Sequence, residues 1–416
     1  MHDAKPRLLM LTHRFPYPPN RGDRIRAYHL LREMVSEFSV TLGSFVDEPV
    51  NQRHYQYIQS LCEQVVISQS SRFSRCYRAI KSVAKNKSIT EGMFASDAFA
   101  DQIKSIHQRR PFDSVLVFCS SMFPYVDQPE FNDARIVVDL VDVDSLKWGQ
   151  MGTEAAFPKD LIYRRESKRV RNIEQRIADS ADGISLVSAL EAKLYRRAVR
   201  VPDSQTVAGI SNGVDAGFFQ PTSAKRFLAH DCTTSKPLRL VFTGVMNYTP
   251  NVEGVDWFCR KVLPDLQKEL NVSLKIVGRS PNSRVMALQQ RPGVEVVGPV
   301  PDVRPYLDEA DIAISPLKLA RGIQNKVLEA MSMKCPVVCT TPSAQGISDA
   351  HGVHYLIADS ESQWCASLKK LAGDPDYRQE IALAARRFVV DELSWSARLK
   401  PMMQLLRATK QELVNV

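Results

Sequence analysis

Lys326 and Glu329 stand three residues apart in the segment Ser315 to Thr340, SPLKLARGIQNKVLEAMSMKCPVVCT. On a helix beginning near Gly322, the positions of Gly322, Lys326 and Glu329 fall at i, i+4 and i+7 and share one stripe, while Val327, Leu328 and Met331 turn toward a core. A helix start offers free N–H groups and the positive end of a dipole, and a lysine one turn on adds a full charge. That combination suits a diphosphate. Glu329 repels phosphate but accepts both hydroxyl protons of a ribose, so the pair suits a nucleotide whose sugar lies deeper than its phosphates. The plainer alternative is a surface i,i+3 ion pair on an amphipathic helix.

A second group lies near the N-terminus. HRFPYPPNRGDRIR, from His13, holds three prolines and one glycine and is long for a strand-to-helix connection. Gly22 lets the backbone approach a sugar or phosphate, and Arg24 and Arg26 are candidates to hold an anion. The structural alternative is a rigid turn with Asn20 or Asp23 capping the helix. The loop lacks the glycine spacing and the Lys-Ser/Thr pair of a Walker motif. In RIVVDLVDVDSLKW, Asp139, Asp142 and Asp144 end a strand, where carboxylates serve as a metal site or a base, but this spacing need not make them converge. No metal is expected. His13 and His29 are the nearby titratable groups.

The elements that position these residues follow from hydrophobic runs. RLLMLT, SVTLGSFV, QVVIS, SVLVFC, RIVVDLV and GISLVS alternate with helical patterns, the first from Arg24 to Val35. The rhythm restarts after Pro237 with LRLVFTGV, a helix from Pro250 to Leu270, then VSLKIVG, GVEVVG, DIAISPL, the helix IQNKVLEAMSM and PVVCT. Two doubly wound parallel sheets are expected, giving an α/β chain whose strand ends face across a cleft. Phe219 to Pro237 is polar and without a core period, which places the boundary near Phe219. The expected domains are 1–218, 219–392 and a C-terminal helix, 393–416, packing back on the first.

The 416 residues are 44% hydrophobic and 24% charged, as in globular proteins, which excludes wholesale disorder. Mean hydropathy is −0.22, and no apolar run reaches the ~20 residues of a membrane helix. About five apolar residues precede His13, too few for a secretory segment, so a cytoplasmic location is expected. Eight scattered cysteines with no Cys-x-x-Cys argue against zinc or a disulfide framework. A net charge of +9 points to an anionic partner.

LEAMSMKCPVVCT, from Leu328, resembles the donor-nucleotide motif of family 4 glycosyltransferases, retaining enzymes of the GT-B fold, with Lys334 in place of a glycine. PYPPNRGDRIR, SNGVDAGFFQP from Ser211, TGVMNYTPN, VGRSP and GPVPDVRPYLDEADIAISP extend the likeness over nearly the whole chain. VDLVDVDSLKW and IYRRESKRVRNIEQRI are most similar to the sugar transferases of exosortase (PEP-CTERM) exopolysaccharide loci. The resemblance implies transfer of a sugar, with retention, from a UDP- or GDP-linked donor to a glycan or polyprenyl-linked acceptor, without a cofactor. It implies donor contacts at Gly244, Asn251, Arg279, Arg321, Gly322, Asn325, Lys326 and Glu329, and acceptor contacts at Asn20, Gly22, Arg24 and Asp142, with Lys326, Glu329 and Asp142 at the chemistry. The chain departs from the family in three further places. Arg321 stands where the first of two glutamates is usual, GVMNYTPNVEG lacks the usual Arg and Lys, and Val141 occupies the place of a histidine.

YRRESKRVRNIEQR carries Arg164, Arg165, Lys168, Arg169, Arg171 and Arg176 against Glu166 and Glu174, a local +4. It reads either as a patch for an anionic membrane surface or as a solvated, salt-bridged helix face. No nucleic-acid module accompanies it. Two rivals stay open: a sugar-nucleotide epimerase of the same architecture, and a non-catalytic nucleotide-sugar-binding protein.

Overall fold

The computed structural model describes residues 5–46, 48–69, 72–222, 237–320, 324–345, 347 and 351–407. The chain divides into two units, Met1–Asn212 with Arg398–Val416, and Gly213–Ala397. The division falls ahead of the boundary expected near Phe219. The reason is local: Val214 N–H donates to the Leu393 carbonyl at 2.9 Å, and the Phe219 carbonyl accepts from Ser332 Oγ at 2.7 Å, so this stretch belongs to the second unit. Of the expected linker, 223–236 lies outside the described residues.

The first unit holds β1 (Arg7–Thr12), β2 (Ser39–Val46), β3 (Gln64–Gln69), β4 (Ser114–Phe118), β5 (Arg135–Val141), β6 (Gly183–Leu186) and β7 (Val207–Gly209). They pair in parallel in the order β3-β2-β1-β4-β5-β6-β7. β1 is buried along its whole length, which is why RLLMLT reads as a continuous apolar run with no alternation. The second unit holds β8 (Leu238–Thr243), β9 (Val272–Val277), β10 (Val294–Gly298), β11 (Ile312–Ser315), β12 (Val337–Cys339) and β13 (Leu356–Ile357), parallel in the order β10-β9-β8-β11-β12-β13. In each sheet the winding reverses once, between β1 and β4 and between β8 and β11. Such points open a crevice at the carboxyl ends of the strands.

The helix Trp395–Arg407 ends on the first unit. There the Leu406 carbonyl accepts from Ser114 Oγ at 2.9 Å, and the Leu405 carbonyl accepts from Arg135 Nε. Residues 408–416 of the expected terminal helix are outside the described set.

Arg26 does not hold an outside anion. Its guanidinium is buried and forks onto Asp139, at 2.7 and 3.0 Å, with Asn212 Oδ1 at 2.8 Å and Ser185 Oγ donating to the same carboxylate at 2.9 Å. This pair ties the helix Gly22–Glu37 to the middle of the sheet. Asp139→Ala leaves the guanidinium without its counter-charge and is expected to cost about 3–5 kcal/mol. Hydrogen exchange of the β1 and β5 amides would measure it, and unchanged protection would contradict the assignment.

Candidate functional site

The site sits at the reversal point of the second sheet. Gly244 follows β8, the helix Thr249–Trp257 carries Asn251 in its first turn, and the helix Asn325–Ser332 lies between β11 and β12. Three of the residues singled out in the sequence meet here. Lys326 Nζ donates to Asn251 Oδ1, and Asn251 Nδ2 donates to the Val245 carbonyl at 3.0 Å. A Cβ on Gly244 would lie 2.8 Å from Asn251 Nδ2 and 3.2 Å from Lys326 Nζ, so a side chain there would push against the ammonium. The ammonium also stands 4.7 Å from the centre of the Phe242 ring, a contact the sequence did not reveal.

Two backbone details complete this pocket. Gly278 has φ +153°, and a Cβ there would fall 1.7 Å from the Gly244 carbonyl oxygen, so only glycine lets the two loops touch. Arg279 contributes its carbonyl, which accepts from Met246 N–H at 2.8 Å, while its side chain is exposed beside the loop. A pocket of about 500 Å³ opens nearby at the ends of β11 and β12, lined by Lys318, Thr341, Pro342, Gln345 and Tyr355. That volume suits a nucleoside.

The helix expected to begin near Gly322 begins at Asn325, because Gln324 has ψ 102° and is extended. Arg321 and Gly322 lie outside the described residues. Lys326 is therefore in the first turn of the helix, where Asn325 and Lys326 have no N–H acceptor within the helix. The start of the helix Thr249–Trp257 is more closed. Pro250 has no N–H, and Asn251 and Val252 donate to the Tyr248 carbonyl at 2.9 and 3.1 Å. Among the described residues in the first turns of these two helices, the full positive charge is that of Lys326.

Lys326 and Glu329 are both half-buried. Loss of hydration pushes Lys326 down to about 7, with the Glu329 carboxylate opposing. The same desolvation pushes Glu329 up to about 7, with Lys326 opposing. Between 4.5 and 7 the folded chain holds a proton on Glu329 that the unfolded chain has released, so this contribution to stability falls as pH rises. Between 7 and 10.5 the unfolded chain holds the extra proton, on Lys326, so stability rises with pH.

At the reversal point of the first sheet the residues are more dispersed. Asn20 and Gly22 are exposed, with nothing within 4 Å of a Cβ on Gly22. Neither Asn20 nor Asp23 caps the helix, whose N-cap is Arg21. Asp23 instead meets His13 Nε2 at 3.7 Å and Arg14 Nη1 at 2.6 Å, and their donated hydrogen bonds hold its carboxyl well below the usual range. Arg24 is not open to an anion, since it is buried and its Nη2 donates to Glu48 at 3.1 Å. Asp142 is half-exposed and pairs with Lys147 at 3.2 Å, while burial raises the Asp144 carboxyl. Among the described residues no cluster of metal-ligating side chains occurs. What the sequence did not signal is strain: Cys119 and Val141, at the ends of β4 and β5, have φ +73° and +69°. A β-branched residue in that region is an outlier of the kind that gathers at functional sites. His29 is buried beside Tyr28.

The basic helix Lys159–Ser180 also differs from its sequence reading. Glu166 and Glu174 are buried, Glu166 accepting from Ser88 Oγ, Ile89 N and Thr90 N at 2.6–2.8 Å. Arg165 donates to the carbonyls of Val83 and Lys87, and Arg169 to Asn86, so they act as clamps. Arg164 and Lys168 stay exposed. No described helix is long and apolar enough to cross a membrane.

The pH behaviour provides a test. Unfolding midpoints of the second unit should pass through a shallow minimum near neutral pH, and Glu329→Gln should remove the fall on the acid side. A monotonic wild-type profile, or an unaltered one in the variant, would contradict the burial of this pair.

Residues 237–374 match the family model described as "Glycosyl transferases group 1". The chain is 21% identical over 401 residues to an "Uncharacterized 44.6 kDa protein in cps region" of Klebsiella pneumoniae, covering 92% of this chain and 95% of that one. Among solved structures it is similar to Anabaena Alr3699/HepE in complex with UDP, with TM-score 0.58, 12% identity and coverage of 96% and 99% of the two chains. It is likewise similar to sucrose-phosphate synthase of Thermosynechococcus elongatus, with TM-score 0.58, 15% identity and coverage of 97% and 98%. The protein thus has the GT-B fold, and residues 237–374 of its second unit match the group 1 glycosyl transferase model.

Proposed function

We propose that the protein transfers a sugar, with retention, from a UDP- or GDP-linked donor to a glycan or lipid-linked acceptor in exopolysaccharide or cell-surface glycan synthesis. The observation that carries this reading is the desolvated Lys326 ammonium at the β8/β11 reversal point, held by neutral partners, Asn251 and Phe242. Similarity to a UDP-bound GT-B protein and to a protein of a cps region supports the nucleotide donor and the glycan context.

In this reading Lys326, the N–H groups of Asn325 and Lys326, and the backbone at Gly244 hold the diphosphate. Arg279 and Arg321 are the further donor-side cations, with Gly322 beside the phosphates, and Glu329 receives the ribose hydroxyls. Asn20, Gly22 and Asp142 contact the acceptor, whereas Arg24 shapes the loop through Glu48. As the bond from the anomeric carbon to the diphosphate oxygen breaks, the acceptor oxygen bonds that carbon and its proton passes to the departing diphosphate. No protein nucleophile is required when the attack comes from the leaving-group face. Lys326 acts where negative charge grows, and in a dry site a fixed cation lowers that barrier most.

Lys326→Ala is expected to weaken UDP binding by tenfold or more, roughly, and to slow transfer by about 10²–10³. Calorimetry and donor turnover measure the two effects. An unaltered affinity in a folded variant would refute the phosphate assignment, and nucleotide binding without transfer to any acceptor would favour a binding protein.

A further inference from the structure

The helix Arg72–Ala84 turns its apolar side outward. Phe73, Tyr77 and Ile80 are 90%, 68% and 70% exposed, and with Val83 they form a single stripe at i, i+4, i+7 and i+10. The inward side is small and polar: Ser82 is buried against Gly92, and Arg78 donates to the Met93 carbonyl at 3.2 Å. Surface helices pack the apolar stripe on the core, and here the arrangement is inverted.

The surroundings of the stripe are basic. From Arg72 to Lys87 the sequence holds six basic residues, Arg72, Arg75, Arg78, Lys81, Lys85 and Lys87, and no acidic one. Arg165 grips the Val83 and Lys87 carbonyls, and one turn before it on the same face stand Leu161 and Ile162, both exposed. Arg164 and Lys168 are exposed on that helix, and its Glu166 is buried, so it does not neutralise them.

We propose that this face docks on an anionic lipid bilayer, with Phe73, Tyr77 and Ile80 entering the acyl boundary and Lys81, Lys85, Arg164 and Lys168 meeting headgroup phosphates. An exposed apolar stripe with cationic flanks has the form of an interfacial helix. Charge selects the bilayer over a second copy of the chain, because self-pairing would set two cationic faces against each other. The inference stands apart from the sugar chemistry and does not need it.

Sedimentation of the full-length protein with phosphatidylcholine vesicles, with and without phosphatidylglycerol, is the test. Wild type should pellet with the anionic vesicles only and detach as salt rises. Phe73→Ser with Ile80→Ser, both exposed and so harmless to folding, should lower partitioning about tenfold or more at an unchanged melting temperature. Absence of binding to anionic vesicles, or equal binding by the double variant, would overturn the proposal. So would a dimer in sedimentation velocity that the double variant dissolves, which would give this face to a second copy.

Discussion

A lysine ammonium drawn half out of water onto uncharged partners is the constraint around which the second unit is arranged. Lys326 has the amide oxygen of Asn251, the ring of Phe242 and, one turn on, a Glu329 whose own charge is suppressed by burial. Burying an incompletely paired charge opposes folding, and a protein tolerates it where a ligand will supply the missing counter-charge. Gly244 and Gly278 serve the same end, since a side chain at either would close the space beside the ammonium or part the loops that frame it.

The topology explains why these residues meet although they are distant in sequence. β8 and β11 are neighbours whose following helices leave in opposite directions, so the loop after one strand and the helix that follows the other converge at one crevice. In the first unit the strained Cys119 and Val141 lie at the ends of the paired strands β4 and β5. There Arg26 is spent internally on Asp139 and Arg24 on Glu48, which leaves Asn20 and Gly22 exposed and Asp142 half-exposed beside Lys147.

Much of this was legible in the sequence because strands buried on both faces spell themselves as continuous apolar runs, and each of the eleven longest runs named at the outset became a strand. β7 and β13 were missed, being three and two residues long and below any readable period. Lys326 was picked from local pattern, and Asn251 and Gly244 through the family resemblance, but their convergence depends on strand order, which spacing does not encode. Net charge along a helix misled for a similar reason: Glu166 and Glu174 count against the basic residues in a sequence, yet both point inward to cap neighbouring backbone. The helix Arg72–Ala84 shows an amphipathic period, and a period does not say which side faces out.

The titration of Lys326 itself, followed by NMR of its ε-carbon with and without UDP, tests the central claim most directly. The account predicts an ammonium that titrates at about 7 in the free protein and moves up toward the ordinary lysine range when the diphosphate arrives. An ordinary lysine value in the free protein, or a value indifferent to UDP, would contradict it.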